Sequence, residues 1–215
     1  MIVEQMMNKN VLTFLPSNTI KEAITLLREN KIRHIPIVNE QGKVVGVVTD
    51  RDIKEATPSN LTDGQNHELL ETPLEEIMTK NPVIGHPLDF VEEVATIFYD
   101  QQIGCLPIIS GGKLVGIVTE TDLLYKYIEL TGAHQPGSQI EVRVPNKAGI
   151  LFEVSKVFHD HHANVLSVLV YPDLQHESNK ILVFRVHTMN PLEIIEDIRK
   201  EGFDVLWPNM PGMTT

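Results

Sequence analysis

The stretch "GKVVGVVTDRD", Gly42 to Asp52, returns as "GKLVGIVTETD", Gly112 to Asp122. Working outward, a shift of 71 places sets Met7 on Met78, Lys9 on Lys80, Asn10 on Asn81 and Pro16 on Pro87. The same shift lays Ile32, Pro36 and Ile37 on Ile103, Pro107 and Ile108, and a one-residue deletion then carries the register through the quoted phrase. Matches spread along a whole unit mark a duplication, and a duplicated unit is one that buries its apolar face against its twin.

Each copy has the same grammar. A short apolar piece (Val11-Leu12-Thr13; Val83-Ile84) precedes a proline and a helix start. In the first copy Thr19 and Glu22 are spaced for a capping box, with Ile20, Ala23, Ile24 and Leu27 on one helical stripe. In the second, Asp89 and Glu92 take the capping parts ahead of Val91, Val94, Ala95 and Phe98. Two short apolar strands follow, "HIPIV" and "KVVGVVT", then "CLPII" and "KLVGIVT", joined by "NEQG" and "SGG". A second helix starts at Asp50 and at Thr121. The order is β-α-β-β-α, twice, over residues 1–58 and 73–130, with a polar connector at 59–72.

The Gly- and Pro-rich "TGAHQPGS" makes 131–138 a linker. Beyond it "QIEVRV" alternates as a half-buried strand, and "NKAGILFEVSKVFHDHH" places Leu151, Val154 and Phe158 on one helix face. "ANVLSVLVY" and "KILVFRVHT" are strands, "NPLEIIEDIRKEG" is a helix with Asn at its cap and Gly202 at its stop, and "FDVLW" alternates again. The order β-α-β-β-α-β over 139–209 is ferredoxin-like, and 210–215 form a tail. The fold class is α+β.

At 215 residues the chain accommodates two to three small domains, and its 42% apolar and 22% charged composition is that of a soluble globular protein. No signal-peptide pattern and no membrane-length apolar run occurs, and a single cysteine, Cys105, excludes an internal disulfide. A cytoplasmic location is the expectation. The net charge of −11 argues against nucleic-acid and membrane partners, both of which need clustered cations. An anionic ligand therefore requires a local positive cluster.

The doubled unit closing on "G-h-h-T-x-x-D", with h apolar, resembles a pair of cystathionine-β-synthase (CBS) domains. "VPNKAGIL" at the first strand-to-helix turn of the last unit is similar to an ACT domain, an amino-acid-sensing module. A CBS pair followed by an ACT domain at this length resembles the acetoin-utilisation (AcuB) family. The CBS resemblance implies an adenine-nucleotide site between the copies, holding AMP, ADP or ATP as a regulatory ligand and no cofactor. Asp52 and Asp122 would take ribose hydroxyls, and Thr49 and Thr119 would lie beside ribose and phosphate. The chemistry is sound on its own terms. A carboxylate accepts from two vicinal hydroxyls, and a free helix N-terminus attracts phosphate. Gly46 admits a close approach, and the apolar strands, with Ile35, Pro36, Leu106 and Pro107, supply walls for a base. The plainer alternative is that Thr49 and Asp52 only cap a helix.

The copies differ in charge. Arg33, His34 and Arg51 stand in the first where the second has Gly104, Cys105 and Thr121, and Thr13, a ligand-contacting position in the family, is set against Gly85. The expectation is two unequal sites with the phosphate in copy one. The ACT resemblance implies a small effector at Asn146, Ala148, Gly149, Ile150 and Leu151, although Asn146 stands where many members carry Asp. It also implies a homodimer or higher homo-oligomer. The AcuB resemblance implies a regulatory role in acetoin- or acetate-linked carbon metabolism, with the acetyl-CoA synthetase regulatory system as a partner. Two other readings stay open: a ligand-free structural adaptor, and a small metal-dependent nucleotide hydrolase using "HDHH", His159 to His162. No catalytic constellation and no metal site is evident, so the leading reading is non-enzymatic.

Overall fold

The computed structural model describes residues 1–57 and 68–208; most of the connector and the 210–215 tail lie outside the described residues. Two compact units follow one another, Met1–Leu124 and Tyr125–Thr215.

In the first unit, the first repeat contains α1 (Ile20–Asn30), the antiparallel pair β1 (His34–Val38) and β2 (Val44–Thr49), and α2 (Asp50–Ala56). β3 (Thr79–Lys80) follows, and the second repeat contains α3 (Val91–Gln101), β4 (Cys105–Ser110), β5 (Lys113–Thr119) and the start of α4 (Glu120–Thr131), a helix that continues past Leu124. α1 starts as its sequence dictates. The Thr19 N–H donates to the Glu22 carboxylate at 2.7 Å, and the Glu22 N–H donates back to Thr19 Oγ1 at 3.3 Å. Ile20, Ala23 and Leu27 then face the core. α3 starts one residue later than expected. Glu93, not Glu92, accepts from the Phe90 N–H at 3.2 Å, while Asp89 accepts from the His86 N–H at 2.7 Å. α4 starts one residue earlier than expected, at Glu120 and not Thr121.

The strand expected at the head of each repeat shrinks to one bridging residue, Phe14 against Ile37 and Gly85 against Ile108. These bridges correct the alignment: Gly85 corresponds to Phe14, and Thr13 corresponds to Ile84.

The segments ahead of the two repeats are exchanged. Val3 is fully buried with Val94, Phe98 and Leu106 of the second repeat, its N–H donating to the Asp89 carbonyl at 2.9 Å. Asn8 pairs with Ile117 through bonds of 2.9 and 3.0 Å. Reciprocally, Leu74 is fully buried with Ile20, Leu27 and Ile35 of the first repeat, and β3 extends the first sheet, Gly46 opposite Lys80. This explains Gly46 differently from the sequence reading. A Cβ there would collide with the Met78 thioether and meet the Thr79 carbonyl at 3.2 Å; at Gly116 it would lie 2.6 Å from the Met7 sulfur. The glycines admit the crossing segments, not a ligand. Where the two sheets meet, Val47, Ile117 and Cys105 form a small apolar cluster, with Val11 against it.

The second unit is a four-stranded antiparallel sheet, β6 (Ser138–Pro145), β7 (Val165–Pro172), β8 (Asn179–Val186) and β9 (Asp204–Trp207), in the order β7-β8-β6-β9, with α5 (Ile150–Asp160) and α6 (Leu192–Lys200). Ile140, Val142, Val144, Leu182, Phe184 and Val186 meet Val154, Phe158 and Ile195 in its core, and the Phe158 and Phe184 rings stack at 4.4 Å. The buried stripe of α5 runs from Ile150 through Val154 and Val157 to Phe158, and Leu151 lies outside it.

Candidate functional site

Each Thr-x-x-Asp phrase forms the same local device at the start of a helix. Thr49 N–H and Oγ1 both donate to Asp52 Oδ2, at 2.7 and 2.8 Å, and the Asp52 N–H donates to Thr49 Oγ1 at 3.2 Å. Thr119 and Asp122 repeat it at 2.8, 2.7 and 3.3 Å. The capping alternative is therefore realised in both copies. It engages one carboxylate oxygen; among the described residues Oδ1 of each aspartate makes no further hydrogen bond, which leaves an acceptor oxygen beside each cap.

A cavity of about 240 Å³ lies between the repeats. One wall is Lys31, Ile32, Arg33 and His34; the other is Ile117, Thr119, Thr121 and Asp122; Asn8, Asn10, Val11 and Leu12 complete it. Two wider depressions, about 350 Å³ beside Gly85 and about 470 Å³ along α1, bring no guanidinium to a Thr-x-x-Asp phrase.

The cavity's make-up corrects the assignment of basic groups to copies. Arg33 and His34 belong to the first repeat in sequence, but the structure joins them to Thr119 and Asp122 of the second. Arg33 Nη2 donates to Thr121 Oγ1 at 3.2 Å. The phrase carrying Arg51, Thr49 and Asp52 does not line this cavity, and Arg51 is exposed on the first turn of α2. Arg33 and His34 thus face the phrase of the second repeat, while Arg51 lies outside this cavity.

His34 takes the place that Cys105 holds in the other repeat. Its imidazole lies so close to Gly104 that a Cβ there would be 2.9 Å from Nε2. Burial, reinforced by the Arg33 charge, pulls the His34 pKa below its ordinary value, against the opposing pull of Asp50, Glu120 and Asp52. Burial, with the Asp52 charge, pushes the Cys105 thiol up to about 12, so it is an inert core group.

Other expected contacts fall elsewhere. Ile35 and Leu106 are fully buried in their own repeat cores. Pro36 and Pro107 are buried too, and their carbonyls accept from Phe14 N–H at 3.2 Å and Gly85 N–H at 2.9 Å. None of these four, nor Thr13, lines the cavity. Lys31 was not singled out in the sequence. It closes α1 in the left-handed conformation, φ 53°, as Gln102 closes α3 at φ 56°. A helix run ending before "KIRH" was the available signal.

In the second unit, Asn146, Ala148 and Gly149 are exposed on one turn, with Gly149 at φ 83° and open space where a Cβ would stand. Ile150 is a core residue and offers that loop only its backbone. The "HDHH" stretch closes α5 and ties it to α6, His161 Nε2 lying 2.9 Å from Asp197 Oδ2. Among the described residues no group of three or more His, Cys, Asp or Glu side chains is arranged to hold a metal, and no helix is long and apolar enough to cross a membrane.

The CBS domain family model matches residues 3–59 and 74–129. The chain belongs to the CBS domain family. The ACT domain model matches residues 138–203, so a tandem CBS pair is followed by an ACT domain. The CBS pair is similar to a CBS domain-containing protein of Bacillus subtilis, YhcV, at 38% identity over 56% of this chain and 81% of that one. A solved structure from Vibrio cholerae described as an acetoin utilization protein (AcuB) is 32% identical, with a TM-score of 0.55, covering 63% of this chain and 96% of that one. The CBS pair of protein MJ0100, solved with 5′-methylthioadenosine and S-adenosyl-L-methionine, is 30% identical, with a TM-score of 0.53 over 63% of this chain and 98% of that one.

Proposed function

We propose that the CBS pair is a non-enzymatic sensor that binds an adenine nucleotide, AMP, ADP or ATP, in the cavity between the repeats. The observation that carries this reading is the convergence of Lys31 and Arg33 from one wall with the Thr119–Asp122 device from the other. A ribose presents two vicinal hydroxyls to the free Asp122 oxygen, and the two cations take the phosphate. The adenosyl ligands of the MJ0100 pair support an adenosine-shaped occupant. Likeness to the Vibrio protein supports a part in acetoin utilization; regulation of acetoin- and acetate-linked carbon metabolism in the cytoplasm, through the acetyl-CoA synthetase regulatory system, belongs to the same proposal. The exposed turn at Asn146–Gly149 supports a small-effector seat on the ACT domain, in a protein that works as a homodimer or higher homo-oligomer.

Thermal shift with AMP, ADP and ATP tests the reading. A ligand at 100 times its Kd stabilises the unit by about 2.7 kcal/mol. Asp122→Ala is expected to lose that shift, whereas Asp52→Ala, which leaves the cavity lining intact, keeps it. An unchanged shift in Asp122→Ala overturns the assignment.

A further inference from the structure

Within the proposed nucleotide cavity, the two walls are already tied together by one side-chain bond, from Arg33 to Thr121. The backbone beneath it is held at both ends of the helix-to-strand junction. Lys31 ends α1 with its N–H on the Leu27 carbonyl, and the Asp50 N–H donates to the Arg33 carbonyl at 3.1 Å. The guanidinium is therefore the part free to swing. Its acceptor is a neutral hydroxyl, a weaker partner than a phosphate that takes two parallel N–H bonds. At about 240 Å³ the cavity is also below the ~300 Å³ from which small-molecule sites usually begin.

The pattern of substitution around this bond is complementary. The counterpart of Thr121 is Arg51, and the counterpart of Arg33 is Gly104. An arginine at 121 would be driven against Arg33.

We propose that Arg33 is a latch: a ligand's phosphate takes the guanidinium from Thr121, which unties the turn ahead of β1 from α4, and this exchange, with Lys31 beside it, selects phosphorylated adenosine over adenosyl compounds with no anionic group on the 5′ side. The 5′-thioether of methylthioadenosine has no anionic oxygen to offer Arg33 in exchange. Ligand selectivity and the loosening of the repeat interface then arise from the same side chain.

Calorimetric titration of the full chain with AMP and with 5′-methylthioadenosine tests this. Wild type is expected to prefer AMP. Thr121→Val removes the competing acceptor at nearly constant shape, so AMP binds about three- to tenfold tighter, the factor expected from one modest hydrogen bond, and its margin over methylthioadenosine widens. Arg33→Gln abolishes the preference for AMP. If Thr121→Val binds AMP as wild type does, or more weakly, the latch is wrong while the nucleotide site stands. If wild type binds neither compound, the nucleotide site falls and the latch with it.

Discussion

Leu74→Ala separates the spatial repeats from the sequence repeats. Leu74 lies in the second copy by sequence, yet its side chain is fully buried among Ile20, Leu27 and Ile35 of the first. Truncation removes three carbons from a closed site and leaves a cavity, a change that costs about 3 kcal/mol within a 2–5 kcal/mol range. For a unit of this size that lowers Tm by on the order of 10 °C. Val3→Ala is the mirror experiment. It removes two carbons from the second repeat's core and costs about 2 kcal/mol. Native-state hydrogen exchange locates each loss. Leu74→Ala is expected to speed exchange first in α1 (Ile20–Asn30), and Val3→Ala first in α3 (Val91–Gln101). If each variant instead loosens the helix of its own sequence repeat, or if Leu74→Ala costs under about 1 kcal/mol, the exchange of segments is refuted.

Two further outcomes are expected. Gly46→Ala drives a methyl into the Met78 thioether and costs about 1–3 kcal/mol in chemical denaturation; paired with Met78→Ala it is expected to cost less than the sum of the single changes, and strict additivity would remove the steric explanation. His34 has a pKa below 6.5 in the folded chain, so the unfolded chain takes up this proton first as pH falls. The associated stability is complete above about pH 6.5 and is lost as pH drops toward the folded value. Between pH 7.5 and 5.5 the melting temperature of His34→Gln is therefore expected to fall less than that of wild type, and an equal fall would show that His34 does not carry the dependence.

Most of the fold is legible in the chain because its signals are local. Periodicity, the Thr19–Glu22 cap, and turn residues recurring in register lead to α1, both hairpins and the ferredoxin-like unit without any long-range knowledge. The exchange of Val3 and Leu74 is not legible, because each is one apolar residue whose partner lies far along the chain and nothing in its neighbourhood names that partner. The site was half legible for the same reason. Thr119, Asp122, Arg33 and His34 are all in the sequence reading, but grouping them by copy set Arg33 beside Asp52, whereas packing set it across from Thr121. Ile35 and Leu106 show the opposite error: strand residues beside a cleft pointed inward, because in a two-stranded hairpin the same alternation serves the core and the cleft.

The crossing of the two leading segments also bears on how such a chain arises. One repeat alone, cut at its sequence boundary, has a sheet edge with no neighbour and a leading segment with no sheet to join. Two identical copies satisfy both needs by lending their segments to each other, which is the contact pattern that Asn8–Ile117 and Gly46–Lys80 preserve within this chain. The duplication thus reads as a symmetric dimer whose halves were later joined covalently. Once they shared a gene, the two halves were free to diverge, and a threonine on one side and an arginine on the other became possible.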